Sequence, residues 1–248
     1  MSFKSWESYR KFSLEVKHGS RYVYSADVDD FLSNVLKTSK QREMTIESGT
    51  VLWRAQLGNE WKTLKLDGEE IEGAIPIPFP SARMKPPIDG ALEGRANPKG
   101  IPYLYLANNK YTAKAEVRPW LDSKISVGQF QPVRDLRVID CSKLHAKGQS
   151  LYFNEPDEDK RELEVWADID RAFSSPVSLG DKSLDYIPTQ IIAELFKNDG
   201  FDGLIYKSAL SKKGYSLVLF DIDTANIINC SLCETKEIKF CFDDETCE

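Results

Sequence analysis

The stretch that decides the fold is 186–220, YIPTQIIAELFKNDGFDGLIYKSALSKKGYSLVLF. It opens with an apolar pattern at helical spacing, which starts near Pro188 and ends at Gly200. A β-branched and aromatic run over 203–207 follows directly, and after a Lys-Lys-Gly turn a second such run covers 215–220. Two strands in succession after one helix break the steady alternation of strand and helix that a doubly wound sheet requires. The stretch therefore predicts an α+β fold.

Hydrophobic periodicity predicts the remaining elements. They are helices over 3–16 and 27–37, strands over 49–56, 103–107 and 136–140, a short helix ending before Pro119, and a helix that opens in the acidic run 154–164. The segment between 73 and 102 contains seven prolines and predicts a long loop, which in a compact domain is usually functional. We divide the chain into an N-terminal helical extension (1–45), a main domain (46–229) and a cysteine-containing tail (230–248).

Composition excludes several classes of protein. The 248 residues are 41% hydrophobic and carry a net charge of −6, which argues against a protein that works by direct nucleic-acid binding or by coating an anionic membrane. The N-terminus is amphipathic and charged, and no run approaches the roughly 18 apolar residues of a membrane span. We expect a soluble cytoplasmic protein that does not act at a membrane.

Five cysteines are present, an odd number that does not suit a secreted disulfide framework. Four of them, Cys230, Cys233, Cys241 and Cys247, lie in the C-terminal tail. They leave two alternatives: four thiolate ligands for zinc, or thiols with no ligand. The second pair lacks the usual metal-ligand spacing and the intervening residues alternate as in a strand, so we expect no metal.

The stretch 103–117, YLYLANNKYTAKAEV, places one carboxylate in an unusual position. On the helix predicted after this strand, helical spacing places Glu116 on one face with Ala113, Val117 and Trp120, and it places Lys114 and Arg118 on the solvent face. An ionised carboxylate buried without a partner costs at least several kcal/mol. Glu116 must therefore line a wet cleft or have a partner.

Other polar residues in apolar or turn contexts are candidates for a site: Arg54, Arg95, Tyr105, Gln190 and Ser208. Each also has a structural reading. Arg54 in a hydrophobic strand could pair with an acid, Tyr105 could be a core aromatic, and Ser208 could be a hydroxyl at a strand end. The chain has only two histidines, which argues against a mechanism based on histidine. The sequence contains neither a Walker-type loop nor a G-x-G-x-x-G motif after a strand, so neither of these phosphate-binding glycine loops is present.

Taken in order, several short motifs resemble the RES domain family. They are LWRA at 52–55, GRANPKGIPYLYLA at 94–107, Glu116, YIPTQIIAE at 186–194, and GFDGLIYKS at 200–208 followed by an LVLF strand. The family is named for an arginine, a glutamate and a serine, which match Arg54, Glu116 and Ser208. The resemblance covers roughly 50–222. It implies an ADP-ribosyltransferase-like core, in which two small β-sheets form a cleft and helices surround them.

The resemblance also implies a function. RES proteins include toxins that consume NAD⁺ by hydrolysis or phosphorolysis or transfer ADP-ribose to a macromolecule, and their usual partner is an Xre-type helix-turn-helix antitoxin. A non-catalytic nucleotide-binding module is the remaining alternative. The implied substrate is NAD⁺, and the site residues would be Glu116, Arg54, Tyr105 and Ser208.

Each of these residues has an expected role in cleaving the nicotinamide–ribose bond. Glu116 would stabilise positive charge on the ribose, and Arg54 would bind the pyrophosphate. Tyr105 would flank the nicotinamide, and Ser208 would bind a ribose hydroxyl or the nicotinamide amide. The additional residues expected to contact NAD⁺ are Arg95, Asn97 and Gln190.

The chain departs from the family pattern in three places. Ala96 stands where an aromatic residue often follows the Gly-Arg pair. This loop therefore has no aromatic ring at that position to stack on the substrate. The insertion at 143–180 is long. The N-terminal helices and the cysteine tail lie outside the resemblance and are candidates for antitoxin binding, oligomerisation or substrate choice.

Overall fold

A computed structural model describes residues 3–66, 69–143, 145, 152–175 and 182–239. The helices are α1 (Ser8–His18), α2 (Ala26–Ser39), α3 (Lys110–Glu116), α4 (Glu158–Ser174) and α5 (Lys182–Asn198). The strands are β1 (Glu43–Ile46), β2 (Leu52–Leu57), β3 (Glu60–Leu66), β4 (Glu69–Ile77), β5 (Leu104–Ala107), β6 (Lys124–Pro132), β7 (Leu136–Asp140), β8 (Gly203–Lys207), β9 (Tyr215–Leu219) and β10 (Ala225–Glu234). Short 3₁₀ turns cover Lys40–Arg42 and Ser81–Met84.

Eight of these strands form one sheet in the order β1-β7-β8-β9-β5-β2-β6-β10, and β3 pairs with β4 in a separate hairpin. The strands β7 and β8 run parallel, because the chain returns through α4 and α5 between them; the other described pairs are antiparallel. This arrangement confirms the α+β class predicted from the sequence.

The large sheet is weakly joined between β2 and β5. These two strands share one pair, Trp53 with Ala107, whereas β2 pairs with β6 along its whole length. The two sheets expected from the sequence are thus present as two parts of a single sheet, and the cleft between them lies at this junction. The helix α3 follows β5 directly and packs its Ala113 with Ala55 and Val127 beside the junction.

The main core lies between one face of the sheet and the helices α1, α2, α4 and α5. The N-terminal helices contribute buried aromatic and aliphatic residues to it, and Phe12 and Phe31 stack with their ring centroids 4.5 Å apart. A second cluster of buried residues lies on the other face of the sheet. It includes Phe79 and Met84, which belong to the segment after β4 and cover this face. The N-terminal helices are therefore packed into the same core as the sheet.

Several predicted elements are placed differently by the structure. Pro188 lies inside α5, which begins at Lys182, so it does not mark the helix start. The helix α3 ends at Glu116, and Trp120 beyond it is 69% exposed, so Trp120 does not share a buried face with Glu116. The strands β3, β4 and β6 were not predicted, and β10 runs through the boundary placed between residues 229 and 230.

Cys230 and Cys233 both lie in β10. Side chains three apart in a strand point to opposite faces, and these two pack against different clusters, Cys230 beside the second core and Cys233 beside the alanines near α3. The pair therefore cannot hold one ion as a metal-binding C-x-x-C turn would. Cys241 and Cys247 lie outside the described residues.

Among the described residues, no helix combines the length and the apolar character needed to cross a lipid bilayer. The longest helices, α4 and α5, are each 17 residues and carry acidic residues in their first turns.

Candidate active site

A cavity of about 480 Å³ lies at the junction of β2 and β5. It is lined by residues 53–55 of β2, residues 105–107 of β5, Ala113 and residues 116–118 of α3 and its end, and by Arg95, Tyr186, Tyr206 and Ser216. Its volume lies within the range of about 300–1,000 Å³ that is typical of small-molecule sites. The weakly paired junction of the sheet thus provides a concave surface.

Glu116 is the last residue of α3, a short helix that Asn109 caps by accepting a hydrogen bond from the Thr112 amide at 2.8 Å. The negative end of the helix dipole opposes a carboxylate at this position, so the side chain is held by contacts outside the helix. Its Oε1 accepts a hydrogen bond of 2.6 Å from the Ser208 hydroxyl. Oε2 has no hydrogen-bond partner among the described residues.

Ser208 follows β8 directly and is 3% exposed. Its amide donates to the Gly214 carbonyl at 3.0 Å, and its Oγ also accepts a hydrogen bond from the Leu210 amide at 3.2 Å. The hydroxyl is thus fixed by the tight turn between β8 and β9. The hydrogen bond between Ser208 and Glu116 joins residues that are 92 positions apart in the sequence.

Arg54 lies in β2 and lines the same cavity. Its Nη1 donates to the Tyr105 carbonyl across the junction at 3.1 Å, whereas its Nε has no hydrogen-bond partner in the part of the chain that the structure describes. No described carboxylate forms an ion pair with it. Burial lowers the pKa of the guanidinium from its ordinary value, which is the direction expected when a cation lacks a counter-ion.

Tyr105 connects the cavity wall to the proline-rich loop. Its hydroxyl donates to Asn97 Oδ1 at 2.7 Å and accepts from the Ala96 amide at 3.1 Å. Burial raises the pKa of this phenol, so it stays protonated. A Cβ added to Gly94 would come within 2.5 Å of the hydroxyl oxygen, which explains why the loop places a glycine there. Ala96 is fully buried in the main core, so its side chain does not face the cavity as a stacking residue would.

Asn97 and Gln190, both predicted to contact substrate, hold this loop and do not line the first cavity. The Asn97 amide nitrogen donates to the Leu92 and Ile101 carbonyls at 2.9 and 2.8 Å. Gln190 on α5 donates to the Gly94 and Asn97 carbonyls at 2.9 and 3.0 Å. Their polar groups are used within the protein, because a loop with many prolines cannot form its own backbone ladder.

Arg95 does line the cavity, although its guanidinium is anchored. Its Nη1 donates to the carbonyls of Phe173 and Ser174 at the end of α4, the latter at 3.0 Å, and its Cζ lies 5.6 Å from the centroid of the Tyr206 ring. Carbonyls at a helix C-terminus carry partial negative charge and suit a cation. Arg95 has no ion-pair partner among the described residues.

The sequence did not identify Tyr186, Tyr206, Trp53 or Arg118 as cavity residues. Tyr206 stands two positions before Ser208, so strand alternation could have placed both on one face. Burial raises the pKa of its phenol to about 12. No periodicity marked Tyr186 or Arg118, because their positions depend on how α5 and the end of α3 meet the sheet.

A second cavity of about 670 Å³ adjoins the first and shares Arg54 and Tyr105 with it. Its other wall is the loop between residues 82 and 102 and includes Asn97. Arg54 thus stands between two spaces, and its guanidinium could contact a ligand that extends through both.

The site offers no described cluster of histidine, cysteine or acidic side chains that could hold a metal ion. Its charged groups are the three arginines at positions 54, 95 and 118 and one carboxylate, Glu116. Such a set favours an anionic ligand and can stabilise positive charge next to the carboxylate.

The fold and the cavity define an α+β protein with an arginine-rich site built around one glutamate. The sequence matches the model of the RES domain over residues 51–240, and the chain belongs to this family. The match includes β10, so Cys230 and Cys233 lie within the family region, whereas the resemblance read from the sequence ended near residue 222.

A comparison with solved structures finds the crystal structure of the M. tuberculosis MbcT–MbcA toxin–antitoxin complex. The two chains are 14% identical, with 82% of this chain and 92% of the other covered and a TM-score of 0.40. A comparison with curated proteins gave no match.

Proposed function

We propose that this RES protein is a toxin that consumes NAD⁺ by cleaving the bond between nicotinamide and ribose. The observation that carries the proposal is the hydrogen bond from Ser208, which does not itself line the cavity, to Glu116, which lines it together with Arg54. It links Ser208 and Glu116, which the motif resemblance matches to the serine and the glutamate for which the family is named, beside Arg54, the match to its arginine.

The chemistry requires a negative charge that is already in position. As the nicotinamide leaves, the ribose acquires oxocarbenium character, and a fixed carboxylate stabilises this charge without reorganising. The Ser208 hydroxyl orients Glu116 through Oε1, which leaves Oε2 free of protein partners among the described residues. That oxygen would face the ribose.

The rest of NAD⁺ is anionic and long, which suits the two adjoining cavities. Arg54 stands where they meet and would bind the pyrophosphate with nitrogens that no described carboxylate occupies. The nicotinamide half would lie near Glu116, and the adenosine half would extend below the proline-rich loop.

The direct test is to incubate the purified chain with NAD⁺, with and without inorganic phosphate. Release of free nicotinamide is expected, with ADP-ribose as the second product if water attacks and its phosphorylated form if phosphate attacks. Label from NAD⁺ on a macromolecule would indicate ADP-ribosyl transfer instead. No nicotinamide release in any of these conditions would rule out the proposal.

Replacing Glu116 by glutamine keeps the shape and removes the charge. We expect Glu116→Gln to reduce the rate of nicotinamide release by about 10²–10⁴-fold, equivalent to roughly 3–5 kcal/mol, with an unchanged melting temperature. The control is Glu47→Gln, because Glu47 is exposed and does not line the cavity. Full activity in Glu116→Gln would show that the carboxylate is structural.

We also propose a helix-turn-helix antitoxin of the Xre type as the partner, and the cytoplasm, which holds NAD⁺, as the site of action. The support is membership of the RES family. Expression of the chain alone should lower cellular NAD⁺ and arrest growth. Co-expression with an Xre-type protein encoded beside it should restore both, and the two proteins should co-purify.

A further inference from the structure

Arg118 occupies a backbone conformation that arginine rarely adopts. It follows the end of α3 with φ +47°, and its amide donates to the Ala115 carbonyl at 2.9 Å, as the residue after a helix C-cap often does. Glycine is the usual residue at this position, because a side chain there is strained. The next residue is Pro119, which further favours an extended conformation for the residue before it.

Arg118 lines the cavity that holds Glu116, and the residue is also exposed to solvent. No hydrogen bond or ion pair joins its guanidinium to another described residue, although Arg54 and Arg95 are both anchored to carbonyl oxygens. Three arginines then face one carboxylate in the cavity lining, in a chain whose net charge is −6. This local excess of positive charge fits a ligand that carries two negative charges.

We propose that Arg118 is a substrate-binding residue that contacts the diphosphate of the ligand, and that its backbone strain is kept because it directs the guanidinium into the cavity. Strain retained at a cavity wall is a recognised sign of a functional constraint. The identity of the ligand as NAD⁺ rests on the proposed function; the requirement for a diphosphate rests on the charges of the cavity.

The test uses ADP, which carries a diphosphate but no nicotinamide, so binding is measured without turnover. Calorimetric titration is done with the full chain, with Arg118→Gly and with Asp122→Gly. Asp122 is the matched control, because it also has a positive φ, of +59°, but does not line the cavity. Melting temperatures are recorded for the same three proteins.

We expect Arg118→Gly to bind ADP about 10-fold more weakly and to melt about 2 °C or more above the parent, since the strain is removed together with the contact. Asp122→Gly should bind ADP as the parent does, and its melting temperature should rise less because aspartate tolerates positive φ better than arginine. Arg118→Ala, which keeps the strain, should weaken ADP binding without raising the melting temperature.

Parental ADP affinity in Arg118→Gly or Arg118→Ala would overturn the binding role, as would a parent chain that does not bind ADP. If the melting temperature of Arg118→Gly does not rise, the claim that the backbone is strained at residue 118 is wrong. If NAD⁺ turnover is present, KM should rise more than kcat falls in Arg118→Ala. A parent chain that binds ADP through Arg118 but does not release nicotinamide would refute the proposed function alone.

Discussion

The Arg54 side chain is held in position by the protein and can still bind a ligand. A buried guanidinium usually pairs with a carboxylate, but here one nitrogen donates to the Tyr105 carbonyl and Nε has no described partner. The carbonyl fixes the position of the side chain without neutralising it. An anionic ligand would supply the missing charge.

Arg54→Lys should therefore weaken binding more than it slows chemistry. A lysine is a point charge and cannot keep the Tyr105 contact while it also presents a planar pair of donors. We expect KM for NAD⁺ to rise about 10-fold with a smaller change in kcat, measured by steady-state nicotinamide release. Arg10→Lys, on the exposed face of α1, is the control. An unchanged KM would contradict the role of Arg54.

At the scale of elements, the loop before β5 owes its shape to contacts with the sheet and with α5. Tyr105 holds it from one side through Asn97 and Ala96, and Gln190 holds it from the other. The loop forms one wall of the second cavity. The substrate contacts expected of Asn97 and Gln190 stay predictions, whereas their structural contacts are explicit.

Tyr105→Phe removes the hydroxyl and leaves the Asn97 Oδ1 acceptor without its partner in the interior. We expect the free energy of unfolding, measured by urea denaturation, to fall by about 1–3 kcal/mol. Hydrogen exchange of the amides between residues 94 and 101 should become faster. Tyr215→Phe, on the neighbouring β9, is the control, because Tyr215 is 38% exposed and its hydroxyl has no described hydrogen bond. Equal stability of the two variants would argue against the anchoring role.

Asp202 lies directly before β8, and its carboxylate accepts hydrogen bonds from two residues at or just before the start of β7. Burial acts to raise the pKa of this carboxyl, but hydrogen bonds from the Arg134 side chain and the Arg137 amide hold the pKa below its ordinary value near 3.8. Because the folded pKa is the lower one, the stabilisation is present above about pH 3.8 and is lost as the pH falls below it.

Denaturant unfolding between pH 7 and pH 3 should therefore show a steeper loss of stability at acid pH in the parent than in Asp202→Asn. The two curves should converge at the acid end. Asp89→Asn, at an exposed loop position without a described partner, should follow the parent. Parallel curves for the parent and Asp202→Asn would show that this carboxyl does not contribute to the pH dependence.

At the scale of the whole molecule, the N-terminal helices are packed into the main core. Phe12 and Phe31 stack there, and α1 packs against α5, the helix that carries Gln190. The main domain was predicted to begin at residue 46, and the family match begins at residue 51. The buried core includes residues on both sides of this boundary. These helices supply core packing whether or not they also contact an antitoxin.

Phe12→Ala should test this packing. Removing a fully buried phenylalanine is expected to lower the free energy of unfolding by about 3–5 kcal/mol, measured by denaturant unfolding. Leu14→Ala, on the same helix but 52% exposed, should change it by less than about 0.5 kcal/mol. A small effect of Phe12→Ala would mean that the N-terminal helices form a separate unit.

Much of the fold could be predicted because its elements carry local patterns. The strand β8 was predicted at its observed bounds, and α2, predicted over 27–37 from apolar spacing, is observed over Ala26–Ser39. The start of α5 was placed wrongly at Pro188, because a proline that favours the first turn of a helix also fits inside one whose interior is held by packing. The strand β6 was missed, since its Gly128 interrupts the pattern.

The sequence by itself determined the α+β class, the RES motifs and the anomaly of Glu116, because periodicity and short motifs are local properties of the chain. The tertiary structure decided the rest. It brought Ser208 to Glu116 across 92 residues, left Arg54 without a described counter-ion, and placed Arg118 at the cavity. These contacts depend on strand order and on the single pair that joins β2 to β5, and neither is encoded in any one segment.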